Sequence, residues 1–194
     1  VGEESGGCGT LTNIVKGYHA DAAIILEPTS LKLSPIQSGA LTFRLTVHGK
    51  ATHASMRWDG VSAIEKYADL HHAIIELEEQ RHNSFNTKFY KSKDRVAPIN
   101  IGTIKAGQWH STVPESVIAE GRLGVFPDES NSEAKKSFEN HIFEFSKNDS
   151  WLAQNPPQIE WFEGQFESGQ TPLDDPLIKE LSSVYENVCN GEAV

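Results

Sequence analysis

The hydrophobic periodicity between Ser38 and Phe162 constrains the fold of this 194-residue chain more than any other feature. From Leu41 to His48, apolar and polar residues alternate one by one, which predicts a strand with one buried face. A helical pattern follows, for which Asp59 is the predicted N-cap. The residues predicted to face the core at helical spacing are Val61, Ile64, Tyr67, Ala68, Ile74 and Ile75, while Leu70 and Leu77 fall on a second side.

Two more strands, a second helix and a last strand complete the pattern. The strands are predicted at 99–104, 117–126 and 159–162, and the polar segment 81–95 is predicted to be a loop. The spacing of Ser130 and Glu133 is typical of a capping box and predicts the start of the second helix. The resulting order, β-α-β-β-α-β, predicts a ferredoxin-like α+β unit with two helices on one face of an antiparallel sheet. Because this fold hosts many functions, it indicates none by itself.

The first residues of the chain carry the candidate chemistry. Glu3 and Glu4 are adjacent, just before a glycine-rich turn, and the apolar run 22–26 predicts a short buried strand that ends at Glu27. Adjacent carboxylates repel each other unless a cation or a shared proton offsets the repulsion. One interpretation is a metal site, in which one carboxylate binds the ion and the other takes a proton from bound water. The alternative is a solvated acidic turn.

Three motifs, in this order, resemble a known family. They are Glu3-Glu-Ser-Gly-Gly-Cys-Gly-Thr, Leu26-Glu-Pro-Thr and Gly49-Lys-Ala-Thr-His-Ala. The family is that of the dinuclear-zinc amidohydrolases, which includes acetylornithine deacetylase, succinyl-diaminopimelate desuccinylase, aminoacylase and carboxypeptidase G. The resemblance implies that Glu3 is the general base, that Glu4 and Glu27 are metal ligands, and that His53 donates to the oxyanion of the tetrahedral intermediate. The chain departs from the family pattern at Gly2, where relatives usually have Asp.

The resemblance also implies a domain organisation and a reaction. Residues 1–35 would be part of an α/β catalytic domain, 36–165 a lid and dimerisation domain, and 166–194 a helix that returns to the catalytic domain. The whole protein would be a homodimer that uses two zinc or cobalt ions to hydrolyse an N-acyl or peptide amide bond of a small substrate. The upstream His-x-Asp motif of the family and its last His ligand are not in this sequence. We therefore expect a fragment that binds metal weakly or not at all and is inactive alone.

Two departures concern the substrate. Many relatives have Asn three residues before the proline matched by Pro114, where this chain has Ser111. Many also have an Arg that clamps a substrate carboxylate, where this chain has Gly124. Arg122 lies two residues earlier and would face the same side of a strand. Ser111 and Arg122 are therefore the predicted substrate-binding residues.

Composition excludes several other classes of function. A net charge of −10 argues against nucleic acid as a partner, because phosphate binding requires clustered Lys and Arg. No apolar run approaches membrane-spanning length, so we expect no membrane partner. Cys8 and Cys189 cannot form a disulfide framework, which favours a cytoplasmic setting. The alternative function is a non-catalytic ferredoxin-like module for dimerisation or small-molecule sensing.

Overall fold

The computed structural model describes residues 7–86, 90, 96–189 and 193. Glu3 and Glu4 lie outside the described residues, as does most of the predicted loop beyond residue 86. The elements are α1 (Cys8–Val15), β1 (Ile36–Gln37), β2 (Gly39–His48), a 3-10 helix (Ala54–Asp59), α2 (Ala63–Ser84), β3 (Ile99–Ala106), β4 (Ser116–Val125), α3 (Asn131–Lys147), β5 (Gln158–Phe166), β6 (Gly169–Gln170) and α4 (Pro176–Cys189).

The main sheet has four antiparallel strands in the spatial order β3-β4-β2-β5. The elements from β2 to β5 follow one another along the chain in the order strand, helix, strand, strand, helix, strand. The mixed α/β class expected from the sequence is therefore confirmed. Both α2 and α3 contribute to one hydrophobic core with the inward residues of β2 and β4. Those inward residues alternate along each strand, on β2 as predicted: Leu41, Phe43, Leu45 and Val47 on β2, and Val117, Ala119, Leu123 and Val125 on β4.

Aromatic rings fill the centre of this core. Phe43 packs on Phe138 with 4.6 Å between ring centroids, and Trp161 meets both rings edge-on. Gly121 makes room for this cluster, since a Cβ there would lie 2.8 Å from Cζ of Phe43 and 2.3 Å from the carbonyl oxygen of Asn100. A side chain at this position would therefore force the ring and the neighbouring strand apart.

Helix α2 differs from the prediction in its start and in its buried face. Ser62, not Asp59, is the N-cap, because the chain first forms the 3-10 helix and Val61 then pairs with Lys50 through two backbone hydrogen bonds. Ile64 and Ile75 were expected in the core but are 48% and 44% exposed. The face that packs on the sheet carries Ala63, Tyr67, Leu70, Ile74 and Leu77. Both stripes are apolar, so spacing alone cannot decide which one faces the sheet.

The predicted loop after α2 begins later than expected. The helix continues to Ser84, and Arg81 lies 7% exposed within it. Its guanidinium makes two hydrogen bonds to the Glu129 carboxylate, at 2.9 and 3.0 Å, and a third to the carbonyl oxygen of Gly124 at 2.8 Å. Arg81, which the sequence placed in a polar loop, thus forms a buried ion pair between α2 and the turn before α3.

The start of α3 agrees with the prediction. The Ser130 hydroxyl accepts from the Glu133 backbone N–H at 3.2 Å, and the Glu133 carboxylate accepts from the Ser130 backbone N–H at 2.9 Å. The Ser130 hydroxyl also donates to the Glu133 carboxylate at 2.7 Å, and the hydrogen bonds that the carboxylate accepts from this hydroxyl and from the Ser130 backbone lower the pKa of Glu133. The capping box is therefore complete.

The predicted strand at 22–26 is wrong. Residues 22–28 form no helix or strand, and Leu26 is 92% exposed. A parallel strand requires neighbouring strands that satisfy its backbone and cover its faces, and the described residues supply none here. The segments just before β2 and just after β5 instead meet at the short β1–β6 pair, where Ile36 opposes Gln170. Within the described residues, no helix is long and apolar enough to cross a membrane.

Candidate functional site

Two loops join at one end of the main sheet to form the candidate site. One loop follows β2 and carries His53, and the other precedes β4 and carries Ser111. The Ala54 N–H donates to the carbonyl oxygen of Ser111 at 2.9 Å, and the Val113 N–H donates to that of Thr52, also at 2.9 Å. These crossing hydrogen bonds hold the two loops in one register, so the structure brings His53 and Ser111 together.

The His53 ring is exposed at the start of the 3-10 helix, and its orientation is fixed locally. Its Nδ1 accepts a hydrogen bond from the Ser55 backbone N–H at 3.2 Å and lies 2.8 Å from Ser55 Oγ. A backbone N–H can only donate, so Nδ1 must be the unprotonated nitrogen. The neutral imidazole therefore carries its hydrogen on Nε2, which makes Nε2 a hydrogen-bond donor.

Aromatic side chains lie beside His53. The Trp109 ring is 6.3 Å from the His53 ring, centroid to centroid, at an interplanar angle of 63°. Trp109 is 56% exposed, and the His110 ring lies 5.5 Å from it. His110 Nδ1 is in turn 2.9 Å from the Ser111 hydroxyl oxygen. Neither Trp109 nor His110 was predicted from the sequence, in which their only signal is an aromatic pair in the turn before Val113-Pro114.

Arg122 does not join this group within one chain. The two loops leave the sheet at the pair formed by His48 and Ser116, whereas Arg122 pairs with Thr42 six positions further along β4. At the rise of an antiparallel strand this places Arg122 about 20 Å from that end of the sheet. Its side chain is exposed on the face of the sheet opposite the helices. The assignment of Arg122 to the substrate therefore stays a prediction.

The backbone explains why this chain has glycine at position 124. A Cβ on Gly124 would lie 2.5 Å from both Cα and the carbonyl carbon of Ala97. An arginine could not occupy this position without displacing the segment before β3.

The described residues do not assemble a metal centre. Glu27 is exposed in the irregular segment before Pro28, with its carbonyl oxygen accepting from the Thr29 N–H at 2.8 Å. Among the residues that the structure describes, no three His, Cys, Asp or Glu side chains are grouped so that they could hold a metal ion. The described residues thus do not fit the two-ion site by themselves.

A cleft of about 490 Å³ lies next to the candidate site, between the 3-10 helix and the start of α2. Both cationic side chains that line it are already paired, Arg57 with Glu65 and Lys66 with Asp149. Trp58 borders the cleft. As far as the described residues line it, the cleft therefore presents no free cation that would attract an anionic ligand.

Comparison with known proteins identifies the fold and the family. Residues 36–150 match the model of the peptidase dimerisation domain. The chain is 28% identical over 171 residues to N-formyl-4-amino-5-aminomethyl-2-methylpyrimidine deformylase from Bacillus subtilis (strain 168), covering 83% of this chain and 39% of that relative. It is 23% identical over 149 residues to N-acetyl-L-cysteine deacetylase from the same organism, covering 74% of this chain and 34% of that relative.

A solved structure has the same fold. The aminopeptidase PepT from Bacillus cereus ATCC 10987 superimposes with a TM-score of 0.61 at 17% sequence identity, covering 97% of this chain and 46% of that one. The chain thus spans less than half of the length of these curated relatives and of this structure. Since the domain model matches more than half of the residues, the chain belongs to the M20 family of metallopeptidases and amidohydrolases.

Proposed function

We propose that the protein to which this chain belongs is a metal-dependent amidohydrolase that cleaves an N-acyl or peptide amide bond of a small substrate. The observation that carries this proposal is the fixed Nε2–H tautomer of His53 on an exposed, hydrogen-bonded loop. Such a donor can stabilise the negative charge that develops on the carbonyl oxygen as the amide is attacked. A preorganised donor of this type contributes about 3 kcal/mol to lowering the barrier.

The assignments that rest on family resemblance complete the proposal. Glu3 acts as general base and passes its proton to the leaving amine, while Glu4 and Glu27 are ligands to the zinc or cobalt ions of the whole protein. Ser111 and Arg122 are substrate-binding residues. The proximity of Ser111 to His53 supports the assignment of Ser111, since the Ala54 N–H donates to the Ser111 carbonyl oxygen and joins the two loops directly.

The domain boundaries and the lid architecture belong to the same proposal. We assign residues 36–165 to a ferredoxin-like lid and residues 1–35 and 166–194 to the catalytic domain. Supporting this division, the chain enters and leaves the lid side by side: Ile36 opposes Gln170, and the Thr171 N–H donates to the Pro35 carbonyl oxygen at 2.7 Å. The two chain segments that connect the lid to the catalytic domain therefore run side by side. Such a compact connection can act as a hinge about which a lid turns.

A second copy of this chain is the proposed partner of the lid. Strand β3 is at the edge of the sheet, and the exposed Ile104 lies on it. Helix α2 contacts β3 and presents Ile64 and Ile75 outward. An edge strand beside an exposed apolar stripe is suited to symmetric pairing, and a two-fold dimer is the commonest closed assembly.

The activities of two relatives indicate the acyl group. One relative is a deformylase and the other a deacetylase, so we propose that the acyl group removed is small.

A complementation experiment tests the catalytic assignment. In the full-length protein, His53→Ala and Glu3→Ala are each expected to be inactive. If His53 of one protomer serves the partner's active site, mixing the two variants under subunit exchange restores one good site in each mixed dimer. Random exchange then gives about a quarter of wild-type activity, because half of the dimers are mixed.

The control for this experiment is subunit exchange itself, followed with two differently tagged copies. If exchange is demonstrated and the mixture stays inactive, His53 does not act across the dimer. If either single variant keeps full activity, the proposed function of that residue is wrong.

A further inference from the structure

We propose that Trp109 determines substrate specificity, and that the substrate carries a flat, uncharged heteroaromatic ring close to the scissile amide. This inference rests on the proposed function of His53. It names the kind of group that the site recognises, which neither the fold nor the catalytic residues specify.

The structure holds Trp109 in a fixed position. Its carbonyl oxygen accepts from the Thr112 N–H at 3.2 Å, which closes a tight turn. Gly107 starts the turn with a positive φ of 62°, and its N–H donates to the Ser116 carbonyl oxygen at 3.3 Å. The crossing hydrogen bonds to the His53 loop hold the other end. A large ring that remains half exposed on such a constrained loop is available to a ligand without rearrangement.

The distance to His53 sets the position of the ligand ring. With 6.3 Å between the Trp109 and His53 ring centroids, a carbonyl group bound at His53 is only a few covalent bonds from the indole. At about 1.5 Å for each bond, a ring attached through one methylene to the amide nitrogen reaches the Trp109 face. The edge-on contact with His53 leaves much of the indole open, as its 56% exposure shows.

The chemistry around Trp109 favours a flat, uncharged ring over an amino-acid carboxylate. Segments 51–55 and 107–113, which exchange the crossing hydrogen bonds, contain neither Lys nor Arg, so these two segments carry no cation for a carboxylate. They supply two aromatic surfaces, Trp109 and His110, which prefer offset or edge-on contact with another π system. The Ser111 hydroxyl and His110 Nδ1, 2.9 Å apart, add polar atoms that can form hydrogen bonds with ring nitrogens or an exocyclic amine.

An equilibrium experiment tests the inference independently of catalysis. Two amine probes, an aminomethylpyrimidine and isobutylamine, are titrated calorimetrically into the full-length protein. We expect Trp109→Ala to weaken binding of the pyrimidine about 10-fold and that of isobutylamine less than about 2-fold, because stacking and ring burial are lost. Trp109→Phe keeps a flat ring and should stay within about 3-fold of wild type.

Trp58→Ala is the matched control, because Trp58 is also exposed but borders the neighbouring cleft. It should leave both affinities unchanged. Equal binding of the two amines by the wild type, or an unchanged pyrimidine affinity in Trp109→Ala, would overturn the inference.

Kinetics with the N-formyl derivatives of the two amines separate this inference from the proposed function. If neither derivative is hydrolysed, the proposed activity on such amides fails, while the binding comparison still decides the role of Trp109. If both are hydrolysed, Trp109→Ala should lower the ratio of kcat/KM values, pyrimidine over isobutyl, by about 10-fold.

Discussion

The backbone N–H of Ser55 lies 3.2 Å from Nδ1 of His53 and donates to it. This contact determines the tautomer of the ring without a carboxylate partner, because a main-chain N–H cannot act as an acceptor. The donor at Nε2 is therefore a property of the backbone conformation at the start of the 3-10 helix. It does not depend on the Ser55 side chain.

The first prediction follows from this tautomer. In the full-length protein, His53→Ala should lower kcat about 100-fold with little change in KM, as expected for an interaction made mainly in the transition state. His53→Gln, whose amide N–H can reach a similar position, should recover part of the loss. Ser55→Ala should stay within about 3-fold of wild type, since it keeps the backbone donor. A loss of kcat in Ser55→Ala equal to that in His53→Ala would show that the backbone N–H of Ser55 alone does not hold His53 in its active tautomer.

The second prediction concerns the dimer. Ile104→Glu places a charge on the edge strand β3, and two-fold symmetry would bring two such charges close together. We expect association to weaken about 10-fold or more, because like charges and unpaired desolvated groups oppose assembly. Sedimentation across a concentration series measures this change. Ile118→Glu is the matched control, because Ile118 is exposed on the open face of the central strand β4. Monomeric wild-type protein at micromolar concentration would contradict the proposed partner.

The third prediction concerns the buried ion pair between Arg81 and Glu129. Glu129→Ala leaves the buried guanidinium without its carboxylate, which should lower the free energy of unfolding by about 3 kcal/mol. Urea denaturation measures the loss. Glu144→Ala removes the partner of Lys147 in a solvent-exposed pair and should cost less than about 1 kcal/mol. Equal losses in the two variants would show that burial of the Arg81 pair does not matter.

The fourth prediction concerns pH. Burial raises the pKa of the Asp149 carboxyl, but hydrogen bonds from Lys66 Nζ and from the Leu152 and Trp151 backbone N–H groups outweigh burial, and the net shift of the pKa is downward. A carboxyl whose pKa is lower in the folded state stabilises the fold above its unfolded pKa, near 3.9, and loses that contribution as the pH falls through the folded value.

The variant Asp149→Ala isolates this contribution. At pH 7 it should be less stable than wild type by about 2 kcal/mol, because an ion pair and two backbone hydrogen bonds are lost. The difference should narrow as the pH falls below about 4. Denaturation of both proteins at pH 7 and at about pH 3 provides the test. A difference that is constant with pH would show that Asp149 acts only through its shape.

The sequence determined those features that depend on residues close together in the chain. The alternation from Leu41 to Val47 predicted the buried face of β2, since successive strand residues point to opposite sides. The Ser130 capping box predicted the start of α3, because both hydrogen bonds join residues three apart. The ordered motifs around Glu27 and His53 indicated the family to which the chain belongs.

Tertiary structure decided the features that depend on pairing between distant segments. Which apolar stripe of α2 is buried depends on how the helix docks on the sheet, so Leu70 is in the core and Ile64 is exposed. Trp109 lies beside His53 because two loops more than fifty residues apart in the sequence exchange backbone hydrogen bonds, and no local pattern encodes that contact. Arg122 lies far from both because the register of β4 against β2 places it towards the other end of the sheet.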